Sequence, residues 1–228
     1  MESRPSGFLS KKSSVFVLTS LFSLILIIVA YVSHHISASK IAQYEADKLK
    51  GITNLKINQI VNWHSELSKD AKVLSQSPLF VAAVEKWLND RNNAQLRKDI
   101  LSSLELSREE FSYEAISLYS PNIEHLLFVG SDSAHPNCVP SEFIKKVIIQ
   151  HYTLFTDFYF CNLHKGIHYD LVVPIQNMRN EILAVLLFRI NLSTYFYPLI
   201  QSWPTPSKSS ETFVFKKQSD GVLYLNEL

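Results

Sequence analysis

Phe155-Thr-Asp-Phe-Tyr-Phe-Cys161, then Asn162-Leu-His-Lys-Gly166, then Ile167-His-Tyr-Asp-Leu-Val-Val-Pro-Ile175 reads as strand, turn and returning strand. The first run is aromatic and β-prone, and the Asn/Gly segment supplies turn chemistry. Gln176-Asn-Met-Arg-Asn180 turns the chain again. Glu181 to Ile190 follows with apolar residues on both alternating sets, Ile182/Ala184/Leu186/Phe188/Ile190 and Leu183/Val185/Leu187. Such a strand is expected to be covered on both faces. Three strands in a meander make a sheet but not a domain, so helices must come from the preceding chain.

They do. From about Ile36 to Ser75 there is no proline, and apolar residues recur at helical spacing through Ile41, Tyr44, Ile52, Leu55, Ile60, Trp63, Leu67, Ala71 and Leu74. A long helix is expected, weakened at Gly51 by about 1 kcal/mol relative to alanine. Its membrane-near part has more apolar stripe than one small sheet can cover, which predicts a parallel homodimer through this helix. Ser77-Pro78 reads as N-cap and first position of a second helix through Phe80, Val84 and Leu88. A third follows through Leu96, Ile100 and Leu104. Glu114 to Tyr119 and His125 to Gly130 form a hairpin, and Ser141 to Ile149 is a short helix crossing the sheet. The fold class is therefore α+β: a five-stranded antiparallel sheet with a long N-terminal helix packed on one face.

Upstream, Val15 to Val32 carries no charge and approaches the roughly twenty residues that span a bilayer. Its apolar core is longer than that of a secretory signal, and no clean small-x-small cleavage site follows, which favours an uncleaved anchor. Lys11 and Lys12 abut its N-terminal end, whereas the other flank begins His34-His35 and waits until Lys40 for a firm positive charge. That asymmetry puts the N-terminus in the cytoplasm and the rest outside. Downstream, Leu192 to Trp203 suggests a short helix, Pro204 to Ser210 a linker, and Thr212 to Asn226 a hairpin about Gln218-Ser-Asp-Gly221.

Composition narrows the function. The formal net charge is +1 over 228 residues, with no long basic block, so nucleic-acid binding lacks electrostatic support. Only five glycines occur, and there is no dinucleotide fingerprint or P-loop, so no cofactor is expected. No Gly-x-Ser-x-Gly or His-Glu-x-x-His pattern points to an enzyme.

The succession from membrane anchor through long helix to strand, strand, helix and three strands resembles the double Cache family, PAS-like extracytoplasmic sensor domains of bacterial sensor kinases and diguanylate cyclases. Asp157-Phe-Tyr159, the turn at Gly166, Val173-Pro174-Ile175 and Leu187-Phe-Arg-Ile190 look like the third to fifth strands of such a module. Lys56-Ile-Asn-Gln-Ile60 with Trp63, Glu66, Asp70-Ala71 and Leu74 is similar to its long helix, and Tyr197 to Ser207 to the joint between two modules. The resemblance implies a cytoplasmic N-terminus (1–12), a transmembrane helix (13–33), a signalling helix (34–75), a membrane-distal sensor module (76–203), a linker (204–211) and the first hairpin of an incomplete second module (212–228). Any kinase or cyclase output domain is expected to lie outside this stretch. The implied role is ligand sensing in the bacterial inner membrane, with the larger part periplasmic. A membrane-tethered interaction module whose hairpin pairs with a partner sheet is the other reading.

The implied pocket lies on the sheet face away from the long helix. Tyr119, Asp157, Tyr159, Tyr169 and Asp170 are its candidate ligand-binding residues, because they sit on or beside central strands where an unpaired carboxylate is costly. Asp157 is a candidate partner for a ligand ammonium, or else caps the strand entry or pairs with Lys165 or Arg189. The Arg-x-Trp-Tyr pattern of the amino-acid-binding subset is absent. His164 and His168 have metal-pair spacing but flank the turn at Gly166 and lack a third ligand, so no metal site is expected. Cys138 and Cys161, the only cysteines, either form one disulfide or remain an exposed and a buried thiol.

Overall fold

The computed structural model describes residues 7–130, 138–163, 165–204, 212–218 and 221–225, with side chains from residue 15 onward. His164, most of the 204–211 linker and the end of the final hairpin at Asn226 lie outside the described residues. The first helix, α1, runs Gly7–Ser75 without interruption at Gly51. It contributes to two compact units, Met1–Leu55 and Lys56–Leu228.

The first unit is helical. From Val15 to Val32 its large apolar side chains are exposed, and α1 contains the one helix among the described residues that is long and apolar enough to cross a membrane.

The second unit is built on a five-stranded sheet. In chain order its elements are α2 (Pro78–Asn89), α3 (Ala94–Glu110), β1 (Tyr113–Tyr119), β2 (His125–Gly130), α4 (Ser141–Gln150) and β3 (Leu154–Phe155). Then come β4 (Tyr159–Cys161), β5 (Gly166–His168), β6 (Asp170–Gln176), β7 (Ile182–Ile190), α5 (Phe196–Gln201), β8 (Phe215–Gln218) and β9 (Gly221–Tyr224). The sheet order is β2-β1-β7-β6-β3, with every neighbouring pair antiparallel. β7 is therefore central, as its two apolar faces require.

Alternation along the strands separates two cores. Ile116 and Leu118 of β1, Leu171, Val173 and Ile175 of β6, and Ala184, Leu186, Phe188 and Ile190 of β7 pack against Trp63, Leu67, Ala71 and Leu74 of α1, with α2 and α3 beside them. On the other face Tyr119, Val172, Val185 and Leu187 are covered by Ile144 and Val147 of α4. Gly130 closes β2 onto β1: a Cβ there would stand 2.6 Å from that of Ala115, and its φ of +154° disfavours a side chain as well.

The meander departs from the expected three strands. Thr156 ends the pairing of β3 with β6: its N–H donates to the Asp170 carbonyl at 2.8 Å, and its Oγ1 accepts from the Asp170 N–H at 2.9 Å. Asp157 accepts from the N–H of Phe158, and the chain leaves the sheet to form the separate β4-β5 hairpin. A disulfide joins Cys161 in that hairpin to Cys138, with 5.7 Å between Cα atoms.

Side-chain hydrogen bonds help hold the Lys56–Ser75 part of α1 to the rest of its unit. Tyr113 donates from its hydroxyl to the Leu67 carbonyl. Buried Lys56 donates to the carbonyls of Leu199, Ile200 and Ser202 at 2.8, 2.8 and 2.6 Å, satisfying the end of α5. Replacement Lys56→Met keeps most of the stem's packing and removes all three bonds. It is expected to cost about 1.5–3 kcal/mol in thermal or denaturant unfolding of the micelle-solubilised chain.

Candidate functional site

The first requirement for a site on the face away from α1 is polar chemistry among apolar walls, and the structure places it at one end of β6 and β7. Asp170 and Arg189 are cross-strand partners, with side chains 0% and 1% exposed. Arg189 Nε donates to Asp170 Oδ1 at 3.1 Å, and the Tyr159 hydroxyl donates to Asp170 Oδ2 at 2.5 Å. Arg189 also donates to the Tyr159 oxygen at 3.1 Å, closing a three-membered network. Burial and the adjacent Asp170 carboxylate push the Tyr159 hydroxyl far above its ordinary value, so it stays a donor. Burial alone would pull Arg189 down, but Asp170, Tyr159 and Glu114 together hold it above its usual value.

Glu114 is the residue that alternation alone would misplace. β1 pairs with β7 through Tyr113↔Ile190 and Ala115↔Arg189, so Glu114 is the extra residue of a β-bulge. Its carboxyl is half-buried and held above the ordinary carboxylate range by burial, with Arg189 opposing and Asp170 adding to the rise. Together with buried His168 it lines a cavity of about 390 Å³.

The five candidate residues divide between the two faces. Tyr159 and Asp170 meet in the network just described. Tyr119 lies on the same face in the α4 core, edge-on to His125, and burial pushes its hydroxyl up to about 12. Tyr169 and Asp157 lie elsewhere. Tyr169 belongs to the helix-face core, stacked on Phe158 and Phe155, and its hydroxyl is hydrogen-bonded to His64 Nε2 of α1. Asp157 is exposed and pairs with Lys216 at 2.8 Å, rather than with Lys165 or Arg189.

Arg189 and Glu114 were not among the sequence candidates. An arginine in a strand apolar on both faces signalled that a buried counter-charge must exist. The bulge that directs Glu114 left no trace in the sequence pattern. His164 lies outside the described residues, and among those described no three of His, Cys, Asp and Glu gather as a metal site.

Two solved structures with similar folds place the architecture. One is the sensor domain of the histidine kinase DctB of V. cholerae, with 15% identity over 72% of this chain and 61% of that chain and a TM-score of 0.55. The other is the ligand-binding domain of the Campylobacter jejuni chemoreceptor Tlp3 in complex with L-norvaline, with 12% identity over 67% of this chain and 60% of that chain and a TM-score of 0.50. The fold is the one these two domains share. No family model and no curated protein sequence matches the chain. The chain spans about 60% of the length of these two structures.

Two measurements test the site's energetics. Arg189→Met leaves Asp170 buried without its cation and is expected to cost about 3–5 kcal/mol, whereas Asp170→Leu combined with Arg189→Met recovers most of the loss. Burial holds His64 below its ordinary 6.5, so the unfolded chain takes up its proton more readily than the folded one. The stability His64 contributes is therefore complete above about pH 6.5 and is lost as pH falls through the lower folded value. In His64→Phe this part of the acid-side decline in unfolding temperature is expected to disappear.

Proposed function

We propose that this chain is the extracytoplasmic, ligand-sensing part of a receptor in a bacterial inner membrane, with the apolar segment from Val15 as anchor. The observation that carries the reading is the combination of a Cache-type sheet with a buried Asp170–Arg189–Tyr159 network on the face away from α1. DctB and Tlp3 are named as sensor and ligand-binding domains, which supports sensing as the role of this architecture here. The work of the chain is binding, and catalysis belongs to whatever output domain it serves.

Tyr169, just before β6, and Asp170, the first residue of β6, link the two faces. Asp170 points to the polar network, and Tyr169 next to it bonds His64 of α1. A ligand that alters the network shifts the seat of Tyr169 and, through it, α1. Only the ligand's differential affinity for the two packings of α1 moves the equilibrium. Paired copies of the helix would carry that shift toward the membrane, and Ile41, Tyr44 and Leu55 are exposed apolar residues suited to the pairing.

A second reading has its own observation. The β8-β9 hairpin exposes Phe215, Val222 and Tyr224, a surface on which a partner strand could pair.

Thermal unfolding of the micelle-solubilised chain against organic acids, amines and nucleobases separates the readings. A specific stabiliser is expected, contributing about 2.7 kcal/mol at a hundred times its Kd. No stabiliser, together with a partner protein whose binding is lost on Tyr224→Asp, would favour the interaction module. Tyr44→Cys is expected to cross-link as a dimer in membranes, and a strictly monomeric product would remove the paired-helix mechanism.

A further inference from the structure

The cavity beside Glu114 has two properties that narrow its occupant. The first is charge. The Arg189 guanidinium is paired with the Asp170 carboxylate at 3.1 Å and also acts on Glu114, so two carboxyl groups lie about one guanidinium. Glu114 makes no hydrogen bond or ion pair among the described residues, and no Lys or Arg lines its cavity. A half-buried carboxylate in that position is stabilised by an arriving cation.

The second is shape. The cavity of about 390 Å³ shares the walls Gly166, Ile167, Ser193 and Tyr197 with a groove of about 730 Å³. The groove's other walls include Phe160, Leu223, Tyr224 and Leu225, which are apolar or aromatic, and Lys165 stands among its lining residues. A charged end therefore continues into a greasy slot between the β4-β5 hairpin, α5 and β9.

We propose that this continuous space binds an organic cation, its ammonium group seated against Glu114 and its apolar body lying along Ile167, Leu223 and Tyr224. The inference rests on the sensing reading and gives its ligand a chemical class. It also gives the β8-β9 hairpin a part: an occupant would bridge β9 to the end of the central sheet, one residue from the Ala115–Arg189 pairing. An anion is disfavoured at the Glu114 end by like charge, and a neutral isostere forfeits the charge-assisted hydrogen bond.

The test uses the full chain in micelles near pH 7.5, with phenethylamine, 2-phenylethanol and 3-phenylpropionate as probes of matched bulk. Phenethylamine is expected to raise the unfolding temperature in a saturable manner, and the other two are not. Glu114→Gln is expected to weaken the apparent affinity for the amine roughly ten- to a hundredfold. Tyr224→Ala, at an exposed position whose loss spares the core, is expected to weaken it as well, so the assignment does not depend on one variant folding. An amine response equal to that of the alcohol, or one unchanged in both variants, overturns the cation site. If another compound class stabilises the chain while the amine does not, the cation assignment falls and the sensing reading stands. If no compound stabilises it, both fall.

Discussion

Asp170 and Arg189 face each other across the paired strands β6 and β7, with almost none of either side chain reaching water. Removing two charges from solvent costs several kcal/mol per ion before their attraction returns any of it. The arrangement persists because each partner is held from more than one side: Tyr159 donates to the Asp170 oxygen that Arg189 Nε does not reach, and β1 and β6 flank Arg189 on either side. A one-residue slip between β6 and β7 would turn one of the two charges into the core packed against α1. The pair therefore sets the register of the central strands, and with it the separation of an apolar face from a polar one.

That separation gives the two faces different chemistry. The helix face is a continuous apolar core in which Trp63 stacks on Tyr195 and Phe196, and Phe158 on Tyr169. Lys56 and Tyr113 pin the adjoining part of α1 by hydrogen bonds to backbone carbonyls. The opposite face is split. α4 fills one end with Ile144 and Val147, while the other end keeps charged groups beside a cavity. Tyr169 and Asp170 belong to different faces yet share a peptide bond, so the polar network and the contact with α1 meet at adjacent residues.

Much of this architecture was legible because it follows from periodicity. The stripe Trp63, Leu67, Ala71 and Leu74 marked the buried side of α1, and the doubly apolar run from Ile182 to Ile190 marked the centre of the sheet. Pro78 opened α2 as read, although Ser77 makes no side-chain cap there. The stretch from Phe155 to Cys161 was less legible. Its composition reads as one strand, but the Thr156 and Asp157 hydrogen bonds divide it, and that competition between side chain and ladder is invisible to an alternation pattern. For the same reason Tyr169 could be placed beside Asp170 in the sequence while lying on the other face in space. The site divided along similar lines. Asp170 was singled out by the cost of burying a carboxylate and is buried against Arg189, whereas the placement of Glu114 depended on a bulge that only strand pairing reveals.

If Tyr169 and Asp170 couple the two faces, the polar network and the contact with α1 respond to one another through the peptide bond those residues share. Imidazole ¹⁵N chemical shifts of His64 in the micelle-solubilised chain report the state of that contact directly. The account predicts that Asp170→Asn, made on the opposite face and without touching His64, changes the His64 tautomer or titration signals. Identical His64 spectra in the folded wild type and variant would contradict it.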